Sequence, residues 1–225
     1  MRRIVLWDID HTLVDTRGVG RELSAAAFER VTGRRMEQQA KIDGITEPVI
    51  FRETAKLHGI TTTRKDFERF AEALAEAHVQ RAAELRERGH ALPGAAAALD
   101  ALASVDGVVQ TVVSGNVRAV SEIKLQTFGL DGHIRWDLGA YGEDADERPE
   151  LVRIALERAG LTAAEAVLLD DTPAGVEAAL ANRVRVIGVA TGRSSEAELR
   201  AAGASVVLPD LTDTGLLVRL AQEQS

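Results

Sequence analysis

The chain predicts an α/β fold in which helices cover both faces of a parallel sheet, with an all-helical unit inserted after the first strand. Three observations carry this. Short apolar runs alternate with amphipathic helical patterns over most of the length. Residues 16–89 interrupt that alternation, showing helical pattern and no convincing strand. And 225 residues are enough for one large domain, or for a core with a smaller insert.

The first strand, Arg3–Trp7, is an apolar run that leads into Asp8-Ile9-Asp10. Helical patterns follow at Val19–Val31, Pro48–His58 and Arg64–Arg88. The last is rich in Ala, Glu and Arg and charged along one side, as a solvated helix face is. Pro93-Gly94 marks the return to the sheet. The expected division is therefore residues 1–15 and 90–225 in the core and 16–89 in the insert, packed over the carboxyl edge of the sheet. Alternation then resumes. Helix Ala95–Ala103 precedes strand Val108–Val113, and helix Val117–Phe128 precedes strand Ile134–Leu138. Helix Pro149–Ala159 leads to strand Ala166–Leu169, Pro173–Ala181 to Val184–Val189, and Ser195–Ala202 to Ser205–Leu208. Pro149 and Pro173 suit a first helical turn, where a missing N–H costs nothing. Gly129 and Gly160 fall just past helix ends.

Hydrophobic residues make up 45% and charged residues 28%, ordinary values for a globular protein. A net charge of −8 argues against nucleic acid, whose phosphates reward a basic face. A small anionic substrate stays open, because a bound divalent cation or a few local cations reverse the field in one pocket. The absence of cysteine excludes disulfides, thiolate zinc sites and a cysteine nucleophile. No stretch approaches the ~18 apolar residues of a membrane span, so no membrane partner is expected. The amino terminus enters a strand without a signal-peptide profile, which makes the cytoplasm the expected compartment; a monomer or homodimer is expected.

Chemistry concentrates at strand ends. Positions i and i+2 of a strand point the same way, so Asp8 and Asp10 project together from the carboxyl end, where open α/β sheets place ligand sites. Carboxylates forced together share a proton, hold a cation, or do both. Strand Val108–Val113 ends in Ser114-Gly115-Asn116, which offers a hydroxyl and backbone N–H groups to an anion, although the same tripeptide is also an ordinary turn and cap. Strand Ala166–Leu169 ends in Asp170-Asp171-Thr172-Pro173, and Arg148-Pro149 supplies a cation at the start of the intervening helix. In one parallel sheet all four converge at one edge.

In this order the residues resemble the four motifs of the haloacid dehalogenase-like (HAD) superfamily, specifically of its phosphatases. Asp8-Ile9-Asp10-His11-Thr12-Leu13 resembles motif one, Ser114-Gly115-Asn116 motif two, and Leu168-Leu169-Asp170-Asp171-Thr172-Pro173 motif four, with Arg148-Pro149 where motif three is expected. The resemblance covers the whole chain, the insert standing as a helical C1 cap, and it is nearest to phosphoglycolate-phosphatase-like members. It implies a Rossmann-like core and a Mg²⁺-dependent phosphatase acting on a small phosphorylated metabolite. Asp8 would be the nucleophile that forms an aspartyl-phosphate. Asp10 would protonate the leaving alcohol and then take a proton from water. Ser114, with Gly115 and Asn116, would bind the phosphoryl group, and Arg148 would steady its charge. Mg²⁺ would be held by Asp8, the Asp10 carbonyl, Asp171 and waters, with Asp170 acting through water or by orienting a ligand. Asp43-Gly44-Ile45-Thr46-Glu47-Pro48 resembles the loop that faces substrate, which brings Thr46 into the expected binding set.

The pattern also departs from the family. Arg148 stands where lysine is usual, with Lys124 as the rival cation. Motif four commonly reads Gly-Asp-Thr-Pro-x-Asp; here the glycine position is Asp170 and the second aspartate position is Gly175. His11 replaces the usual glycine after Asp10 and is expected to fill the cap–core seam. Arg17 and Arg52 would meet a second anionic group on the substrate. His58, His78, His90 and His133 lack metal-ligand spacing and are assigned no function. Rival chemistries exist on the same fold. A dehalogenase needs neither leaving-group acid nor metal, which Asp10 and Asp170-Asp171 oppose. A phosphonatase needs a cap lysine as Schiff base, and Lys41 and Lys56 are available. A phosphomutase shares the core motifs and differs in its cap. A catalytically weak binding module is favoured by Arg148 and Gly175 and opposed by the clustered acids, which have no reason to persist without a reaction to serve.

Overall fold

The computed structural model describes residues 2–223. Strand β1 (Arg3–Trp7) runs into the two-residue strand β2 (Val14–Asp15), from which the chain leaves the sheet for four helices. These are α1 (Val19–Thr32), α2 (Glu47–Leu57), α3 (Arg64–Gln80) and α4 (Ala82–Arg88). The chain returns through β3 (His90–Ala91), antiparallel to β2 with Val14 opposite Ala91 and Asp15 opposite His90. Then come α5 (Ala95–Ala103), β4 (Val108–Val112), α6 (Arg118–Thr127), α7 (Arg148–Ala159), β5 (Ala166–Asp170), α8 (Pro173–Ala181), β6 (Arg185–Val189), α9 (Glu196–Ala201), β7 (Val206–Leu208) and α10 (Thr214–Gln222).

Strand β1 reads as an unbroken apolar run because both of its faces are covered. Ile4 and Leu6 pack on one side with α7, α8 and α9, through Leu151, Val152, Val176, Ala179 and Leu199. Val5 and Trp7 pack on the other with α5 and α10, through Ala98, Leu99, Leu102, Leu217 and Leu220. The five-stranded parallel sheet has the order β4-β1-β5-β6-β7. β1 is thus flanked by β4 and β5, and the segments that follow all three strands meet at one edge. The helical segment has a core of its own. Phe28, Phe51, Phe67 and Phe70 are buried there with Leu23, Leu74 and Leu85, against Val117 and Val120 at the start of α6. The Phe51 and Phe70 rings stack at 4.5 Å, and Phe28 meets Phe51 edge-on at 6.1 Å.

Two local expectations need correction, and β2, β3 and α10 are elements that the sequence did not announce. Residues Ile134–Leu138 form no strand; the segment meets β4 at one isolated bridge, Gln110 to Ile134, and a second bridge, Val113 to Ala140, lies just beyond both. The Leu138 N–H bonds the Arg135 carbonyl at 3.1 Å and closes a turn where a ladder would have continued. The pattern over Arg64–Arg88 divides at Arg81, which has φ −109° and ψ 22°. No glycine or proline marks that break. The Arg81 guanidinium bonds Glu84 at 2.7 Å and Glu22 at 3.0 Å, so contacts with α1 and α4 set it. Strands β2 and β3 are too short to show a period. Helix α10 lies beyond the predicted elements, capped by the Asp213 carboxylate, which accepts from the Leu216 N–H at 2.9 Å. No helix among the described residues is long and apolar enough to cross a membrane.

Candidate active site

The parallel ladder carries the acids to the sheet edge. The Asp8 N–H bonds the Leu169 carbonyl at 3.0 Å, and the Val113 N–H bonds the Trp7 carbonyl at 2.8 Å. Asp8 therefore sits one residue beyond β1 with Ser114 and Asp170 on either side. The chain must then turn back, and His11 adopts φ 64°, the left-handed region in which glycine is most at ease. Its carbonyl accepts from the Thr191 hydroxyl at 2.6 Å. That conformation explains the glycine usual at this position, which histidine here replaces at some cost in strain. His11 also lines the cavity described below.

Two cation-centred clusters result. In the first, Arg148 from the start of α7 donates from one nitrogen, Nη2, to Asp8 Oδ1 and Asp170 Oδ2, both at 2.6 Å. All three side chains are buried. Because one nitrogen makes both bonds, the guanidinium acts here as a single-point donor, as an ammonium would, and its Nε is left buried without a partner. The other Asp170 oxygen accepts from the Thr172 N–H at 2.8 Å and hydroxyl at 2.7 Å. In the second cluster Lys124 of α6 donates to both Asp10 oxygens at 2.7 Å and to Asn116 Oδ1 at 2.9 Å. Asn116 Nδ2 in turn bonds Asp10 at 2.6 Å and the Ser114 hydroxyl at 2.9 Å. Both expected cations are thus in the site: Arg148 holds Asp8, and Lys124 holds Asp10.

These partners set the charge states. Burial and the neighbouring Asp170 push Asp8 up, with Arg148 opposing. Burial, Asp8 and Asp170 push Asp171 up further. Burial would raise Asp10 too, but the Lys124 charge and the bonds from Asn116 and Lys124 outweigh it and hold Asp10 below its ordinary value. Asp8, Asp170 and Asp171 each offer an oxygen within 4.8 Å of the others. Fully ionised, three carboxylates would exceed the one guanidinium by two negative charges in a buried space, and the upward shifts of Asp8 and Asp171 express that conflict. The Thr12 hydroxyl lies 3.3 Å from Asp8 Oδ2 and 3.2 Å from Asp171 Oδ1, and its single proton can satisfy only one of them. Hard oxygen donors with unmet negative charge fit a divalent cation such as Mg²⁺. Asp8 Oδ2 and the Asp171 carboxylate stay clear of the cations, whereas both Asp170 oxygens are engaged, by Arg148 and Thr172. The Asp10 carboxylate faces Lys124 and is not part of this cluster.

The two departures in motif four compensate for one another. A Cβ placed on Gly175 would lie 2.0 Å from the Asp170 carboxyl carbon, so the Asp170 side chain fills the space that a residue at 175 would need. Two other glycines allow close approach at the site. A Cβ on Gly192 would lie 1.7 Å from Asp171 Oδ2, and one on Gly115 would lie 2.4 Å from the Ile45 carbonyl. Gly192 and Thr12 were not among the expected site residues. Thr12 was legible only as part of motif one, and Gly192 follows β6 with no motif signal.

A cavity of about 640 Å³ opens over these groups, within the range of small-molecule sites. Asp8, Asp10, Ser114, Gly115, Asn116, Lys124, Arg148 and Asp171 line it. Thr46 does not: it is fully buried and its hydroxyl donates to the Asp146 carbonyl at 2.9 Å, so its side chain holds the loop in place. Arg17 and Arg52 are also outside the cavity lining and pair with Asp15 at 2.9 Å and Asp146 at 2.8 Å. Lys41 and Lys56 do not line the cavity either.

Residues 5–189 match the family described as haloacid dehalogenase-like hydrolase. Among solved structures, the chain resembles a hydrolase from Pseudomonas syringae with a TM-score of 0.70 at 20% identity, over 100% of both chains. It resembles a predicted phosphoglycolate phosphatase from Haemophilus somnus with a TM-score of 0.66 at 17% identity, over 98% of each chain. A beta-phosphoglucomutase candidate from Bacteroides vulgatus gives 0.69 at 20% identity, covering 99% of this chain and 91% of that one. At such identities these likenesses carry the fold alone. No curated protein matches the chain in sequence.

Proposed function

The chain belongs to the haloacid dehalogenase-like hydrolase family and is a hydrolase, and from that premise we propose that it hydrolyses small phosphate monoesters through a covalent intermediate on Asp8. The observation that carries this is the buried Asp8–Arg148–Asp170 bridge beside Asp171 and Ser114. It places an oriented carboxylate, a neutralising cation and a cation-accepting pair at one strand end. Asp8 attacks phosphorus, the bond to the leaving oxygen breaks, and Asp10 supplies the proton that the alcohol needs. Water then attacks the aspartyl-phosphate, Asp10 takes its proton, and the Asp8 carboxylate leaves with phosphate released. Clamped by Lys124 and Asn116, Asp10 rests ionised, ready for the second step, and has to be protonated before the first. Ser114 and the Gly115 amide face the phosphoryl oxygens. Asp8 and Asp171, with Asp170 orienting from behind, would hold Mg²⁺, which when bound supplies charge compensation for two anions brought together. Residues 16–89 act as the cap that shields the site from water.

The test is phosphate release from an aryl phosphate and a panel of alkyl monoesters, with Mg²⁺ or with EDTA, using Asp8→Asn as control. The expected result is Mg²⁺-dependent turnover that Asp8→Asn abolishes. A folded, Mg²⁺-binding protein that turns over none of them would contradict the proposal.

A further inference from the structure

The cavity extends past the groups that handle the phosphoryl group. Asp10 serves the leaving oxygen, so whatever surrounds Asp10 on the side away from Asp8 surrounds the rest of the leaving alcohol. Two titratable residues stand there without a role. Glu47, the first residue of α2, is fixed by its backbone N–H to the Gly115 carbonyl at 2.8 Å. Its side chain lines the cavity, and among the described residues no donor bonds its carboxylate. Burial pushes it up to about 7, with Lys124 and Asp10 both close enough to act on it. His78 of α3 lines the same cavity and feels the same pair. Its Nδ1 lies 2.8 Å from the Leu74 carbonyl, which can only accept; Nδ1 therefore carries the proton and Nε2 a lone pair. That Nε2 is buried with no partner.

Three of the four Lys and Arg side chains lining the cavity are paired. Lys124 and Arg148 are held by Asp10 and by Asp8 with Asp170. Arg193 is exposed, 3.7 Å from Asp43, and Arg21 is exposed at the first turn of α1. Beside Asp10 the cavity thus presents the unmet Glu47 carboxylate, while the cation without an ion pair among the described residues is the exposed Arg21. We propose that Glu47, backed by the buried His78 ring, forms the leaving-group end of the site and selects monoesters whose alcohol bears hydroxyl or ammonium donors, against those bearing a second carboxylate or phosphate. A donor-bearing alcohol gives the Glu47 carboxylate a partner, whereas a second anion meets that carboxylate in a half-buried space. Sites with buried hydrogen-bonding groups discriminate strongly against ligands that leave those groups unpaired.

This inference rests on the phosphatase reading, and the test separates the two. Relative kcat/KM is measured with Mg²⁺ for glycerol phosphate and ethanolamine phosphate against phosphoglycolate and phosphoglycerate, with an aryl phosphate alongside. The wild type is expected to favour the donor-bearing pair by about tenfold or more. Glu47→Lys is expected to reverse that ratio, and Glu47→Gln to lower ethanolamine phosphate relative to glycerol phosphate. Ratios within one variant are independent of how much of it folds. Aryl phosphate turnover with carboxylated esters preferred, and that preference removed by Arg21→Gln, would overturn the inference and leave the phosphatase reading standing. Failure to hydrolyse any ester would remove both.

Discussion

His78 makes acid stability of the protein a measurable consequence of one buried ring. It is 1% exposed, and burial, reinforced by Lys124, pulls it down from 6.5 to about 4. In the unfolded chain the imidazole protonates near 6.5. Below that pH the unfolded state binds a proton that the folded state refuses until about 4, so stability is present above the unfolded value and is lost as pH falls. Between pH 7 and pH 4.5 the loss from this residue is about 2 kcal/mol, from ~1.4 kcal/mol per pH unit over most of that window. The perturbation is His78→Leu, which removes the titration and the orphaned Nε2 together. Urea unfolding of both proteins at the two pH values cancels the other titrating groups in the difference. The Leu variant should gain about 2 kcal/mol on the wild type as pH drops, or roughly 4–8 °C in Tm for a chain of this size. A difference that stays flat with pH would show that the ring protonates freely in the folded state, and the reasoning would be wrong.

Further substitutions probe the carboxylate clusters. Because one nitrogen of Arg148 bridges Asp8 and Asp170, Arg148→Lys should keep turnover within about tenfold, whereas Arg148→Met, which strands buried carboxylates, should cost about 3–5 kcal/mol of stability or the equivalent in rate. Steady-state kinetics with denaturant melts separates these; equal losses in both variants would contradict the single-point picture. Gly175→Asp should be severely destabilising alone, because its Cβ meets the Asp170 carboxyl group, and Asp170→Gly in the same chain should recover much of the loss. Additive effects in that double-mutant cycle would refute the exchange of carboxylate between the two positions. His11→Gly should relieve left-handed strain of about 1 kcal/mol, read as a small rise in Tm; a fall would mean that the side chain contributes more than its backbone costs.

The sheet and the helices packed on it were legible because their apolar periods are long and clean. Ala95–Ala103 and Pro173–Ala181 match α5 and α8 residue for residue. The apparent strand at Ile134–Leu138 was misread because composition cannot tell a ladder from a turn that touches a strand edge at single bridges. The break at Arg81 is set by partners on other helices, which a period along one segment does not carry. At the site, Asp8, Asp10, Ser114 and Asp171 were readable as strand-end residues of a parallel sheet, and Arg148 as a cation at a helix start. The division of labour between Arg148 and Lys124 was not, since each is chosen by which acid lies opposite in space. Nor was Thr46, whose place in a promising loop hid a hydroxyl that turns inward to Asp146. The Asp170–Gly175 exchange was visible as two anomalies, and only the geometry makes them one.

The central claim is covalent catalysis by Asp8, and its most direct test is to trap the intermediate. Enzyme turning over an aryl phosphate with Mg²⁺ is quenched in acid and reduced with borohydride, which converts an acyl phosphate to the alcohol, and the peptide bearing residues 3–17 is sequenced by mass spectrometry. The account predicts reduction at Asp8, dependent on substrate and on Mg²⁺, and absent from Asp8→Asn. Undiminished turnover by Asp8→Asn, or a label on any other residue, would contradict it.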